Sequence, residues 1–277
     1  MLTNIDITHQ HNSLHKIEKN RRIKMTRIIM HGCNGYMGQV ISKICEADEE
    51  VKIVAGVDIN TEQKNDYPVF ASVKDCNVEA DAVIDFSHIS CVEGLLDWCA
   101  ENKMPVVLCT TGLTEEMLTK VKDVATKTAV LKSANMSLGI NMLLKILKEA
   151  TKVLAPAGFD IEVVEQHHRR KLDAPSGTAL ALADSINEEL NNEYEYVYGR
   201  ADRREARPQK EIGISAVRGG TIVGVHDVIF AGEDEVITFN HTAYSRAVFA
   251  KGAVQAAKYL NGKSAGLYDM SDVIENK

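Results

Sequence analysis

The sequence predicts an α/β protein, a doubly wound parallel sheet in the N-terminal half followed by a smaller α+β unit. Three observations carry that reading. Apolar runs of strand length alternate with amphipathic helical stretches from Arg27 to Leu131, the pattern of parallel βαβ units. A glycine-rich turn, Gly32 to Gly38, joins the first strand to the first helix. Beyond Lys210, strand-like stretches follow one another directly; such a meander with one-sided helices suits a separate α+β unit.

Residues 1–24 are polar, rich in His, Asn and Lys, and lack periodicity, so they read as a disordered tail. His9, His11 and His15 lie there with no structured fourth ligand nearby, and no metal is expected. Met25 directly precedes the first strand and is a candidate start. The strand Arg27–His31, the turn and a helix to about Ala47 come next. Apolar runs follow at Val51–Val57, Ala82–Phe86, Val106–Cys109 and Ala129–Leu131, with helices near Cys91–Glu101 and Glu115–Ala125 between the later ones. A long helix from about Ile140 to Leu154 leads to a strand at Asp160–His168, a charged loop and a helix at Ser176–Leu190. The meander is expected from Glu211–Val217, Thr221–Phe230 and Glu235–Thr242. The last helix, about Arg246–Leu260, has no partner in that unit and is expected to pack back on the first sheet. The division is then residues 25–138, completed by 246–277, and residues 139–245.

Gly32-Cys33-Asn34-Gly35-Tyr36-Met37-Gly38 occupies the position of a Rossmann phosphate loop. Glycines there let a pyrophosphate approach the N–H groups of a helix terminus. The Gly-x-x-Gly-x-x-Gly spacing is weak by itself, but Asp58 closes the next strand 20 positions beyond Gly38, where a carboxylate can accept hydrogen bonds from the adenosine ribose. Later strand ends at Asp85–His88, including Phe86, at Cys109-Thr110-Thr111-Gly112 and at Ser133-Ala134-Asn135-Met136 are expected at the same carboxyl edge and suit a nicotinamide. The first unit thus reads as a Rossmann-type dinucleotide-binding domain taking NADH, NADPH or both.

Glu165 to Ala179 is the most informative stretch. Five basic or titratable side chains, His167 to Lys171, come just before a helix start marked by Pro175. Ser176 can cap that helix, while Gly177 and Thr178 leave N–H groups at the positive end of its dipole. An anion can bind there while Lys171 or a histidine pairs with it or with a second carboxylate.

The stretch His167-His168-x-x-Lys171-x-Asp173-Ala174-Pro175-Ser176-Gly177-Thr178 resembles the signature of the dihydrodipicolinate (4-hydroxy-tetrahydrodipicolinate) reductase family of diaminopimelate and lysine biosynthesis. The likeness runs from about Thr26 to Ile274, with supporting matches at Asp85-Phe86, Thr110-Thr111-Gly112, Ala134-Asn135, Ile214–Arg218 and Ser245-Arg246. The resemblance implies that hydride from NAD(P)H adds to C4 of an unsaturated ring that loses its 4-hydroxyl, giving tetrahydrodipicolinate. It implies His167 as general acid and Lys171 as proton donor or carboxylate partner, with His168, Ser176, Gly177 and Thr178 holding substrate carboxylate. It also implies a homotetramer joined through the sheets of the second unit, which then serves substrate binding and oligomerisation. Cys109 departs from the family's usual glycine and Met136 from its usual aromatic residue; neither change removes a charge or a proton donor.

Several classes are disfavoured. A formal charge of −7 argues against nucleic acid as partner, since that binding neutralises phosphates. No apolar run approaches the roughly 20 residues that span a bilayer. Six cysteines in the first half, none in Cys-x-x-Cys spacing, suggest a reducing, cytoplasmic setting. A semialdehyde dehydrogenase would need a nucleophilic cysteine near its substrate unit, and none follows Cys109. Another two-domain dehydrogenase and a non-catalytic dinucleotide sensor are the alternatives. Asp58 is followed by Ile59 and Asn60 rather than Arg or Lys, so NADH is expected to serve at least as well as NADPH, with Lys64 and His88 the residues able to reverse this.

Overall fold

The computed structural model describes residues 25–275, so the expected tail and its histidines lie outside the described residues. The first sheet takes β1 (Thr26–His31), β2 (Val51–Val57), β3 (Val69–Phe70), β4 (Ala82–Asp85), β5 (Val106–Leu108), β6 (Ala129–Leu131) and, from the far end of the chain, β12 (Gly266–Tyr268). Their order is β12-β6-β5-β4-β1-β2-β3, and every pairing is parallel.

Helices cover both faces, as a parallel sheet requires. Ile28, Met30 and Ile84 point to one face, beneath α1 (Tyr36–Glu46). Ile29, Val83, Val106 and Leu108 point to the other, beneath α2 (Ile89–Asn102) and α3 (Glu115–Ala125). This is the two-residue alternation of a strand buried on both sides. The strand order reverses between β1 and β4, and ligands of such sheets bind in that crevice at the carboxyl edge.

The second unit follows α4 (Leu138–Leu154) and contains β7 (Asp160–His167), α5 (Gly177–Glu189), β8 (Glu195–Val197), β9 (Glu211–Arg218), β10 (Gly224–Ala231) and β11 (Val236–Ala243). Leu147, Leu182 and Ile186 from the helices bury Ile161, Val163, Val228 and Phe230 of the sheet. The final helices are α6 (Ala247–Leu260) and α7 (Met270–Glu275). As the lack of a partner in the second unit suggested, α6 returns to the first sheet, where Ala250, Ala253, Val254 and Leu260 join the core around Ile28 and Met30.

The expected meander is not what forms. The order is β11-β10-β7-β9-β8, so β7 separates β9 from β10 and pairs in parallel with β9. The Gly219-Gly220 turn explains the crossing: Gly219 N–H donates to His167 O (2.9 Å) and Arg169 N–H donates to Gly220 O (3.3 Å). Those bonds carry the chain over the end of β7 to its other edge. Only β10 and β11 form a hairpin. The strand expected to include His168 ends at His167, which places the two adjacent histidines in different surroundings. The short strands β3, β8 and β12, of two or three residues, have too little pattern to be read beforehand.

Candidate active site

At the carboxyl edge of β1 the chain turns at Gly32 with φ +81, and a Cβ there would stand 2.5 Å from Phe86 O. Only glycine fits this combination of backbone angle and contact. Gly35 is the N-cap of α1 and brings no side chain to bond the first-turn amides; those N–H groups remain for an anion. Asp58 Oδ2 accepts from Asn34 N–H (2.9 Å) and Oδ1 from Asn60 N–H (3.0 Å), which ties the glycine loop to the end of β2. Asn34 Nδ2 donates onward to Asn60 O (2.6 Å) and Glu62 O (2.8 Å). An ionised carboxylate has about four acceptor sites, so Asp58 keeps capacity for ribose hydroxyls. The Cys33 side chain is buried in the core, leaving only its backbone to the loop. Tyr36 is exposed, with the Arg246 guanidinium 5.9 Å from its ring centre.

Two cavities flank this loop. One of about 320 Å³ lies against Gly32, Gly35, Asp58, Ile59 and His88. The other, about 650 Å³, is walled by Met37 of α1, by Phe86 and Cys109-Thr110-Thr111 after β4 and β5, and by Ser133–Met136 after β6. Phe86 and Ser87 belong to both. Beneath them Asp85 is fully buried and accepts from His31 Nδ1 (2.7 Å) and Thr110 Oγ1 (2.6 Å). Burial works to raise the Asp85 carboxyl, but those donors and Ser87 hold it below its ordinary value. Burial pushes the Cys109 thiol well up, so it is no thiolate nucleophile.

The second unit reaches the larger cavity through Lys171. It also meets the cavity wall through Thr178, whose Oγ1 accepts from Asn135 Nδ2 of the first unit at 3.0 Å. Ser176 caps α5, its Oγ accepting from Ala179 N–H (3.2 Å), and the space around Gly177 is open. Lys171 Nζ pairs with Asp173 (2.9 Å). Burial tends to raise the Asp173 carboxyl, but Lys171 and the backbone N–H groups of Asp173 and Gly177 hold it low. The region between Lys171 and the start of α5 therefore already receives a carboxylate.

His167 lies deeper, at the end of β7. Along this strand Ile161, Val163, Glu165 and His167 are all buried on one face, so the apolar face turns polar towards the site. Glu165 accepts from His167 Nδ1 (2.6 Å), from both Arg218 terminal nitrogens (2.8 and 2.7 Å) and from Ser176 N–H (2.9 Å). Burial would raise the Glu165 carboxyl, but these donors lower it. An ionised Glu165 can only accept, so His167 carries its proton on Nδ1 when neutral and presents Nε2. Burial lowers the His167 pKa below its ordinary value, with Glu165 opposing and Lys171 and Arg218 reinforcing the fall. A Cβ on Gly224 would stand 3.2 Å from His167 Nε2, so the bare backbone keeps that nitrogen approachable. His226, opposite Glu165 in the sheet, meets the His167 ring edge-on at 5.2 Å and bonds Ser176 Oγ through Nε2 (3.3 Å). His168 leaves the strand, and its buried Nδ1 has no partner among the described residues.

The structure thus gathers most of the anticipated coenzyme residues around two cavities, with Lys171 and Thr178 at their border and His167 below. Glu165, Gly224 and His226 carry no role in the sequence reading. Their signal was present: Glu165 and His167, like Gly224 and His226, are spaced by two on strands whose inward face is otherwise apolar.

Sequence models described as Dihydrodipicolinate reductase, N-terminus and C-terminus, match residues 26–136 and 139–274. This chain belongs to the dihydrodipicolinate reductase family. A relative in Caldanaerobacter subterraneus subsp. tengcongensis, named 4-hydroxy-tetrahydrodipicolinate reductase, is 54% identical over 251 residues, covering 91% of this chain and 99% of the relative. One of the same name in Clostridium tetani is 46% identical over 252 residues, with 91% and 98% covered. The dipicolinate-bound dihydrodipicolinate reductase from Paenisporosarcina sp. TG-14 superposes with a TM-score of 0.75 at 25% identity, covering 90% of this chain and 99% of that structure. The second matched region runs on through α6 and β12, which return to the first sheet.

Proposed function

We propose that this chain reduces 4-hydroxy-tetrahydrodipicolinate to tetrahydrodipicolinate with NAD(P)H, a step of diaminopimelate and lysine biosynthesis. The observation that carries the reading is the Glu165–His167 pair, 2.6 Å apart, set below a carboxylate-receiving loop at the border of a dinucleotide cleft. The uncapped α1 terminus, the Gly32 turn and Asp58 fit a dinucleotide; when bound it supplies the hydride. One hydride and one proton enter the ring system and one water leaves.

The residues divide that work. Lys171, His168 and the start of α5 at Ser176, Gly177 and Thr178 hold the two carboxylates. His167, charged before the step, gives the proton from Nε2 and is left neutral with its proton on Nδ1; Glu165 steadies the imidazolium that precedes transfer, as the carboxylate of a catalytic triad steadies its histidine. A bound dianion favours that imidazolium, offsetting the depression that burial imposes on the free enzyme.

NADH serves at least as well as NADPH. The cavity beside Asp58 has no Lys or Arg among its lining residues, Lys64 Nζ turns to Glu62 (3.8 Å), and His88 Nδ1 is engaged by Ser90. A carboxylate beside a 2′-phosphate repels it. Residues 25–138 with 246–277 form the coenzyme unit and 139–245 the substrate unit, the latter joining a homotetramer through its sheet. The setting is cytoplasmic, in keeping with six free cysteines; no helix among the described residues is long and apolar enough to cross a membrane.

The test is loss of the reduced coenzyme's near-ultraviolet absorbance when enzymatically generated 4-hydroxy-tetrahydrodipicolinate is added, with each coenzyme in turn at one ionic strength. Turnover with both or with NADH is expected. Absence of turnover with either would overturn the reaction, and an NADPH preference above about tenfold would overturn the role given to Asp58. Sedimentation of the purified chain tests the tetramer.

A further inference from the structure

We infer that Lys132 makes the coenzyme site select the reduced over the oxidised dinucleotide; this rests on the proposed dinucleotide site. A dinucleotide with its pyrophosphate at the start of α1 has the Asp58 cavity for its adenosine, since Gly32, Gly35 and Asp58 line that side. Its nicotinamide is left with the larger cavity, which begins at Met37 of the same helix and is walled by the strand ends of β4, β5 and β6.

The charged groups of that larger cavity are one-sided. Lys132, Lys171 and Arg246 line it, and no Asp or Glu does, in a chain whose formal charge is −7. Two of the three cations have other engagements: Lys171 pairs with Asp173 (2.9 Å), and Arg246 leans over Tyr36 (5.9 Å). Lys132, half-buried at the end of β6 and next to Ser133–Met136, has no carboxylate partner among the described residues. The buried Asp85 nearby is already enclosed by His31, Thr110 and Ser87.

Reduced nicotinamide is neutral, whereas the oxidised ring carries a positive charge. A half-buried ammonium facing the ring therefore leaves NADH unaffected and repels NAD⁺, and partial exclusion of water preserves that repulsion. The consequence is an enzyme that releases the spent coenzyme and resists its return when NAD⁺ is abundant. Lys171 and Arg246 add to the same field, but in the working complex substrate carboxylate neutralises Lys171 first.

The experiment measures dissociation constants for NADH and NAD⁺ without substrate, by fluorescence and calorimetric titration, in the wild type, Lys132→Gln, Lys132→Met and Lys132→Arg. The wild type is expected to bind NADH more tightly. The ratio should fall by about fivefold or more in the Gln and Met variants, mainly through tighter NAD⁺ binding, the order of effect one unit charge exerts across partly wet protein. Lys132→Arg should keep the ratio. An unchanged ratio, or equal weakening of both coenzymes, would overturn the inference while leaving the dinucleotide site intact. Failure of the wild type to bind either coenzyme would remove the site and the inference together.

Discussion

Glu165 and His167, two residues apart on the inward face of one strand, share a 2.6 Å hydrogen bond that fixes which imidazole nitrogen faces the site. Replacing either should slow the chemistry more than it weakens binding. For His167→Ala a fall in kcat of about 10²–10⁴ is expected, the usual contribution of a general acid, with KM nearly unchanged. Glu165→Gln preserves shape but lets Nδ1 lose its ionic partner, and a smaller fall in kcat should follow. Steady-state kinetics on both variants decide this; near-normal turnover of His167→Ala would remove that residue from the mechanism.

The pH profile carries a sign. Burial depresses His167 in the free enzyme, so the protonated acid is lost as pH rises through a value below the ordinary 6.5, and kcat/KM should fall along that limb. In Glu165→Gln the opposing carboxylate is gone, and the limb should move lower still. The corresponding limb in kcat should lie higher, because bound dianion favours the imidazolium. A kcat/KM limb that rises in Glu165→Gln would contradict the geometry.

Gly224→Ala places a methyl 3.2 Å from His167 Nε2. The neighbour must give by a few tenths of an ångström, and the nitrogen's approach is narrowed. A loss of about tenfold or more in kcat is expected, because displacements of this order at a reacting group are costly, with coenzyme affinity unchanged. Coenzyme titration beside substrate kinetics separates the two effects, and wild-type kcat would show that the proton leaves by another route.

Asp173 stands in for a ligand carboxylate beside Lys171 at 2.9 Å. Pyridine-2,6-dicarboxylate should compete with substrate, and Asp173→Asn should bind it more tightly by up to about fivefold, the scale of an exposed ion pair. Thr178→Val and His168→Ala should bind it more weakly. Inhibition constants that do not differ among these variants would place the anion site elsewhere.

His226 contributes to stability in a defined pH window. Burial, then His167, lower its pKa to about 4, while Glu165 opposes. The unfolded chain therefore takes up this proton near 6.5 and the native state only near 4, so stability is lost as pH falls through that interval. The full effect is about 3 kcal/mol at most. Urea unfolding at several pH values should show a shallower loss in His226→Asn than in the wild type; equal slopes would mean that His226 is solvated in the native state.

What was legible in the sequence was what local chemistry determines. Alternating apolar runs specify buried parallel strands, Gly32 to Gly38 specifies a turn closed to larger residues, and Pro175 with Ser176 specifies a helix start, because each depends on a few neighbouring residues. The return of α6 to the first sheet was legible too, since an apolar helix must find a partner. Tertiary structure alone decided the rest. The passage of the chain across β7 at Gly219-Gly220 rests on bonds to His167 and Arg169, some 50 residues earlier, and no periodicity encodes such a pairing. That crossing sets Arg218 against Glu165 and His226 beside His167. A histidine in a run of five basic or titratable residues became a buried, oriented imidazole only when three strands distant in sequence met at one edge.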